Sequence, residues 1–370
     1  MVVGTRAIVT RALRVLHLDG GRTLRGGQRQ VARLVEGLAS RGVENHVLSA
    51  CAELRERLAT SAIRLEAWRP RGDLDLVAAW RCARASVAPA DLIHAHDARS
   101  HGIALLARAL GARVPVVVSR RTDAAIGRGW ASRLKYRGPV ARWLAVSEAV
   151  AAKLRAAGVD ADRIAVVASG IEHRPAGGAA VARATLGVAP DARVIGTVAA
   201  LTPEKGHEVL LEAAVRVCRR EPRARFVWIG EGPERARLVA RRDALGLAAH
   251  VMFAGAHRDA RALMPGFDLL VAPSRIEGLG TAVLEAMADG VPVVASAVGG
   301  LRELIRNRET GRSVPVGDPA ALADVILQAF AEPSETRQMS ELARVEAARY
   351  DVSTMVEATW REYERVIRRV

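Results

Sequence analysis

Short aliphatic runs alternate along this chain with longer stretches whose apolar positions recur every three or four residues. In the first half, strands are predicted near 14–18 (RVLHL), 45–49 (NHVLS), 91–95 (DLIHA), 115–119 (PVVVS), 143–147 (WLAVS) and 164–168 (IAVVA). Between the first two, Val31, Leu34, Val35 and Leu38 follow the i, i+3, i+4, i+7 spacing of an amphipathic helix, and Gly42 stands where it should stop. Residues 172–192 break this rhythm with a Gly-, Pro- and Ala-rich stretch that has no strand-like run. The rhythm then restarts, with strands expected at 193–199, 225–229, 250–254, 268–272 and 291–295. Helices are expected at 207–220, 233–245, 281–289, 300–306 and 319–331, and the amphipathic tail 353–369 reads as one more. Strands alternating with helices predict parallel sheets covered on both faces. The expected architecture is α/β, two Rossmann-like, doubly wound parallel-sheet domains facing across a cleft. The first domain spans 1–175, the second 190–352, and 353–370 forms a closing helix. Open sheets of this kind bind ligands beyond the carboxyl ends of their strands.

Length agrees with two cores, since 370 residues exceed what one core holds. No uncharged run reaches the length of a membrane span, and the Arg-broken N-terminus lacks a signal-peptide core. Residues 1 to 12 read as an extension ahead of the first strand. Cys51, Cys82 and Cys218 have neither zinc-ligand nor redox spacing and read as reduced thiols. These features point to a cytoplasmic protein. The net charge is +15, and of 55 basic residues only Lys135, Lys153 and Lys205 are lysines. A field of that sign attracts phosphates and anionic lipids. At 4% aromatic residues the chain lacks the stacking platforms that single-stranded nucleic acid requires, so no nucleic-acid partner is expected.

The candidate chemistry lies at predicted strand-to-helix turns. In SRIEGLGTAVLEAM (274–287), Glu277 and Glu285 flank a glycine turn, with Thr281 as the expected N-cap and Gly290 as the stop. Backbone N–H groups around Gly278, Leu279 and Gly280 would form an anion site at a helix N-terminus. Acids there would repel a diphosphate, so sugar hydroxyls are their natural partners: a hexose on one side and a ribose on the other. A solvated loop acid and a helix-dipole acid are the plainer alternatives, and for two acids alone they would prevail. In VAALTPEKGHEVLLEAA (198–214), Lys205 sits beyond the first strand of the second domain, where an anion-binding lysine belongs. In WIGEGPERARL, Gly230 and Gly232 give a tight turn and Pro233 suits a helix N1 position, but Arg235 replaces the third glycine of a dinucleotide fingerprint. A nicotinamide dehydrogenase is thereby disfavoured. In LRGGQRQVARL, Gly26 and Gly27 precede a helix and could approach the donor diphosphate or the acceptor.

Other clusters have bland readings. His94 and His96 of DLIHAHDARSH share one strand face, yet no acid or Cys pattern elsewhere supports a metal site. A neutral imidazole lining the acceptor side and plain packing both remain. The triplets Asp73-Leu74-Asp75 and Asp160-Ala161-Asp162 follow no apolar run and read as structural, so no metal is assigned. Segment 126–139 (IGRGWASRLKYRGP) interleaves Arg128, Arg133, Lys135 and Arg137 with Trp130 and Tyr136, which suits an anionic membrane surface, a phosphorylated acceptor or simply a solvated charged helix.

Taken in this order, LRGGQRQ, AVSEAVAAKL, PEKG, IGEGP and the E-x7-E stretch within PSRIEGLGTAVLEAMADGVPVVAS resemble the retaining glycosyltransferases of family 4, over nearly the whole chain. The resemblance implies the GT-B fold and sugar transfer from a UDP-, GDP- or ADP-linked donor to a glycan or lipid-linked acceptor, with no cofactor. It places Glu277 beside the donor sugar, Glu285 on the ribose hydroxyls and Lys205 on the diphosphate. Gly278 to Gly280, Thr281 and the Gly26-Gly27 turn lie near it. Backbone at Gly230 and Ala256 would read the base. The tail helix would cross back to the first domain. Two positions depart from the family pattern. Ala200 stands where an arginine is common, and Arg120 and Arg121, with His96 the acceptor-side candidates, occupy a loop where many relatives have a histidine. Nucleotide-sugar 2-epimerases and phosphorylases share this fold and are the competing expectation, with a non-catalytic nucleotide-sugar or membrane-surface binding protein as a third.

Overall fold

The structure, a computed structural model, describes residues 11–59, 63–87, 90–127, 129–174 and 178–369. Within them the chain forms two compact units. The first comprises the described residues up to Arg121, Ala125–Gly170 and the stretch from Val352 onward; the second comprises Thr122–Ala124 and Ile171–Asp351. The units therefore part at Gly170, inside the range expected for the first domain. The three residues after Arg121 also belong to the second unit.

The first unit is a seven-stranded, all-parallel sheet. Its elements are β1 (Arg14–Asp19), α1 (Gly26–Ala39), β2 (Glu44–Ser49), α2 (Ala52–Leu58), β3 (Arg64–Ala67), α3 (Leu76–Val87), β4 (Leu92–Ala95), α4 (Ala98–Ala109), β5 (Val116–Arg120), α5 (Trp130–Tyr136), β6 (Arg142–Ala145), α6 (Glu148–Ala156) and β7 (Ile164–Val166). The strand order β3-β2-β1-β4-β5-β6-β7 reverses direction between β1 and β4, the switch point of a doubly wound sheet. Central strands such as VVVSR are buried on both faces, so continuous apolar runs mark them better than alternation does. Helix starts follow capping chemistry. Asp97 accepts from the N–H groups of Arg99 and Ser100, and Ser147 from that of Val150. The C-terminal helix, Val352–Ile367, belongs to this unit. Its Met355, Val356, Tyr363 and Val366 pack on Val15, Leu34, Leu38, Val117 and Leu144. Each buried side chain of this size contributes roughly 1.5–3 kcal/mol.

The second unit has α7 (Ala179–Leu186), β8 (Arg193–Val198), α8 (His207–Arg220), β9 (Ala224–Ile229), α9 (Arg235–Ala244), β10 (Val251–Gly255), β11 (Leu269–Ala272), α10 (Thr281–Ala288), β12 (Val293–Ser296), α11 (Leu301–Leu304), β13 (Arg312–Val314), α12 (Pro319–Ala331) and α13 (Pro333–Ala347). Its order, β10-β9-β8-β11-β12-β13, is again parallel and reverses between β8 and β11. Phe226 and Trp228 of β9, Leu210 and Val217 of α8, and Leu322 and Ile326 of α12 build its core.

The periodicity assigns no range to α2, α4 or α6, and other elements depart from it. The short edge strands β3 and β13 have four and three residues and too little apolar content to register. The helix α13 carries its buried positions on Thr336, Met339, Ser340, Ala343 and Ala347, of which all but Met339 are small or polar, and this hides the stripe. The stretch 172–192, expected to hold no strand, contains a helix: α7 lies inside it and stops at Gly187 in the left-handed conformation; 175–177 lie outside the described residues. The expected N-terminal extension also falls largely outside them. Among the described residues no helix is long and apolar enough to cross a membrane, and Cys51, Cys82 and Cys218 are free thiols.

Candidate functional site

The strand-to-helix turns singled out in the second unit meet at one end of its sheet. After β8 the chain makes a 3-10 turn, Pro203–Lys205, and Gly206 takes a left-handed φ of 69° before α8 begins. After β11 it passes Pro273 and runs through 274–280 to α10. The two loops are stitched together. The N–H groups of Arg275 and Ile276 donate to the Glu204 carbonyl at 2.8 and 3.3 Å. The Lys205 ammonium donates to Glu277 Oε2 at 2.6 Å, and the Ser274 hydroxyl reaches the same oxygen at 3.3 Å. Lys205 and Glu277 keep 23% and 17% side-chain exposure, so the pair faces solvent from a largely enclosed setting.

Closeness of backbone explains the glycine here. A Cβ on Gly206 would lie 2.0 Å from the Pro273 carbonyl oxygen. Thr281 is the first residue of α10 rather than its N-cap; Gly280, at φ 94°, holds the cap position and supplies no side-chain acceptor. The first turn of α10 also carries no acid. Its N–H groups are thus open to an outside anion, and the partial positive charge of the helix end is uncompensated from within. Gly278, Leu279 and Gly280 are buried, and Glu285, half-buried, follows one turn into α10.

Gly230 and Gly232 sit where the β9 turn folds against the loop after β8. Leu201 N–H donates to the Glu231 carbonyl at 3.0 Å, and Glu234 N–H to that of Leu201 at 3.1 Å. The helix α9 starts at Arg235, so Pro233 precedes it instead of holding N1. Gly230 N–H donates to Gly255, whose neighbour Ala256 is exposed at the end of β10. Ala200 leaves no cation at its position; its carbonyl accepts from His207, whose ring is pushed down to about 4 by burial.

The structure adds a partner that the sequence reading omitted. Gly299-Gly300, after β12, lies directly beneath the 277–279 loop. Gly300 N–H donates to the Glu277 carbonyl at 3.2 Å, and a Cβ on Gly299 would stand 2.0 Å from that same oxygen. Buried Asp123 lies alongside, its Oδ2 at 3.0 Å from where the Gly299 Cβ would be. The signal was present, because VVASAVGGLREL repeats the strand, glycine, helix order of the other turns.

The acceptor-side candidates belong to the first unit. His96, just past β4, is buried in a cluster with His94 and with His17 of β1, a residue the sequence reading omitted although its parity along β1 places it on that face. His17 Nδ1 meets His96 Nε2 at 2.9 Å, and His17 Nε2 meets the Asn45 side-chain oxygen at 2.9 Å. His94 bonds Tyr363 Oη at 2.5 Å and Ser119 Oγ at 2.8 Å, and Arg121 approaches His96 Nδ1 at 3.3 Å. Among the described residues this is the one group with metal-ligand proximity. Every ring nitrogen is engaged, however, and the neighbouring guanidinium disfavours a second cation. Burial pushes His17 down to about 4 and His94 and His96 well below their usual range, so all three are neutral. Burial also lowers Arg121 to about 10. Arg120 differs from its neighbour. It is buried, donates to Tyr136 Oη at 2.6 Å and stacks over that ring, which makes it a core residue more than a lining one. Gly26 and Gly27 are the first two residues of α1 instead of a loop before it, and a Cβ on Gly27 would meet nothing within 4 Å. Of the two D-x-D triplets, Asp73 pairs with Lys135, and Asp75 accepts from the N–H groups of Arg71 and Ala78.

Known proteins share both halves of this arrangement. The family model described as glycosyl transferases group 1 matches residues 180–346, and that of Glycosyltransferase Family 4 matches 24–174. A D-inositol 3-phosphate glycosyltransferase of Nocardia farcinica is 31% identical over 300 residues, 74% of this chain and 66% of that protein. One of the same name from Mycobacterium tuberculosis is 36% identical over 224 residues, 57% of this chain and 45% of its own length. The chain thus spans between about half and two thirds of these curated relatives. Among solved structures, Alr3699/HepE of Anabaena in complex with UDP-glucose superposes with a TM-score of 0.83 at 23% identity, covering 97% of this chain and all of that one. That likeness shows the fold, two Rossmann-like parallel-sheet units of the GT-B class. With both family models matched in sequence and the fold shared throughout, the chain belongs to the group 1 glycosyl transferases of glycosyltransferase family 4.

Proposed function

We propose that this protein transfers a sugar from a nucleotide diphosphate donor to a glycan or lipid-linked acceptor, with retention at the anomeric carbon and without a metal or other cofactor, in bacterial cell-envelope polysaccharide or lipopolysaccharide synthesis. The observation that carries the reading is the Lys205–Glu277 pair beside the uncapped start of α10. A diphosphate brings two or more negative charges; an ammonium and a helix N-terminus are the groups that stabilise the charge growing on it as the sugar departs. Glu277 and Glu285 are then the acceptors for sugar and ribose hydroxyls, and the backbone at Gly230 and Ala256 faces the base. Arg121 and His96 are the acceptor-side candidates that remain. Relatives and neighbours support the class of donor: Anabaena Alr3699/HepE is solved with UDP, with UDP and glucose, and with UDP-glucose.

The test is turnover with UDP-, GDP- and ADP-sugars in excess chelator. One donor is expected to release its nucleoside diphosphate only when an acceptor is present, at a rate the chelator leaves unchanged, giving a product whose anomeric configuration matches the donor's. Conversion of the donor, with no acceptor present, into an epimeric nucleotide sugar would move the reading to an epimerase. Activity lost to chelator and restored by Mg²⁺ would overturn metal independence.

The protein is proposed to work in the cytoplasm, docked on an anionic membrane through 126–139, of which residue 128 lies outside the described residues. Trp130 and Leu134 of α5 are 80% and 69% exposed. Lys135 binds Asp73, which holds α5 against the segment carrying exposed Leu74, Leu76, Val77 and Trp80. Trp68, Trp143 and Trp228 are buried, whereas the two strongly exposed tryptophans lie on the two segments that this ion pair joins, which also carry exposed Arg84, Arg133 and Arg137. Amphipathic rings beside cations suit a lipid interface. Trp80→Ala/Trp130→Ala is expected to reduce co-sedimentation with phosphatidylglycerol vesicles severalfold; unchanged co-sedimentation would remove the membrane from the reading.

A further inference from the structure

We infer that the first unit carries an anion pocket at the amino ends of its strands, suited to a small molecule with clustered phosphates. The cavity, about 470 Å³, is bounded by the starts of β5 and β6 and by the end of the C-terminal helix. Ligands of open parallel sheets ordinarily sit at the carboxyl ends, so this pocket is at the opposite edge from the turns where such sheets bind substrate.

Its lining is chemically one-sided. Six of the eleven lining residues are arginines, namely Arg108, Arg113, Arg142, Arg163, Arg365 and Arg369, and none is acidic. The arginine-rich composition does not account for this, because arginines and lysines together are 55 of 370 residues in the chain. Arg142 and Arg365 share Glu362, and Arg163 lies 3.5 Å from Asp160. Arg108 donates to the Val114 carbonyl. Among the described residues Arg113 and Arg369 have no carboxylate partner. Six guanidiniums are thus met by two carboxylates. Holding that many like charges around one cavity is unfavourable unless counter-charge enters it. Guanidiniums bind phosphate oxygens in pairs, which favours a multiply charged phosphate over a monovalent anion. The floor of Pro115, Pro139 and Val140 is apolar and gives the body of such a molecule a surface to lie on. Arg365 comes from the C-terminal helix and Arg369 from the turn after it, and Arg108 and Arg113 from α4 and the turn after it, so an occupant would tie the end of that helix to the sheet.

The inference is independent of the donor-site reading. The experiment is calorimetric titration of the full chain with sodium tripolyphosphate at fixed ionic strength, repeated on Arg113→Gln/Arg369→Gln. Both side chains are exposed, so the variant is expected to fold with an unchanged melting temperature in the absence of ligand. Saturable binding that the double substitution weakens about tenfold or more supports the pocket. Displacement of tripolyphosphate by phosphatidylglycerol vesicles assigns the phosphates to lipid headgroups, and no displacement assigns them to a free molecule. Absence of saturable binding, or equal affinity in the double variant, overturns it.

Discussion

Lys205→Ala is expected to lower kcat about a hundredfold while the protein stays folded. A single hydrogen bond to a charged group contributes about 1.5–3 kcal/mol, and one made mainly in the transition state converts almost fully into rate. Loss of one preorganised donor to a developing oxyanion costs a similar factor. With Ala200 in place of a second cation, the ammonium of Lys205 has no neighbouring side chain on its own loop to substitute for it. The folded state tolerates its removal better. The Lys205–Glu277 pair keeps some solvent access, so water can reach Glu277 once the ammonium is gone, and its loss costs less than breaking a fully buried pair, though more than the ~0–1 kcal/mol of a surface one. Single-turnover kinetics beside a urea melt separate the two effects: a low rate with a midpoint only modestly lowered is the expected pattern. Turnover close to the parent's would remove Lys205 from the chemistry.

Gly206→Ala is expected to destabilise the protein by about 1–3 kcal/mol more than Gly246→Ala. The two glycines have nearly the same φ, 69° and 70°, so the cost of placing an alanine at positive φ is shared by both. They differ in surroundings. A Cβ at 246 meets nothing within 4 Å, whereas one at 206 stands 2.0 Å from the Pro273 carbonyl oxygen. The alanine at 206 must therefore push the Pro203–Lys205 turn away from the 273–277 loop, lengthening the Lys205–Glu277 contact. The difference between the two urea midpoints measures this. Equal midpoints would mean that the loops separate without resistance and that their close approach does not hold the site in shape.

Much of the fold was legible because buried parallel strands are continuous apolar runs, and helices such as α8 and α12 carry clear stripes. Their bounds, 207–220 and 319–331, agree with the periodicity to the residue. What periodicity missed includes three- and four-residue β13 and β3 at the edges, α13 with its Ser and Ala contacts, and the helices α2, α4 and α6. The turn residues Lys205, Glu277 and Gly280 could be found because glycine, lysine and acid residues punctuate apolar text. Their mutual distances could not, since the order of strands in the sheet, not the order in sequence, brings β8 beside β11. The same reason hid His17. It becomes the partner of His94 and His96 only when β1 is seen to lie next to β4. Arg120 and Arg121 are adjacent in sequence and indistinguishable there, yet strand alternation sends one onto Tyr136 and the other toward His96.

The helix at the end of the chain has a consequence for biosynthesis. Met355, Val356, Tyr363 and Val366 complete a core whose other buried members, from Val15 to Leu144, are translated more than two hundred residues earlier. The half of the protein that emerges first from the ribosome therefore waits with an uncovered apolar face, while the half that emerges second already has its own strands and helices in hand.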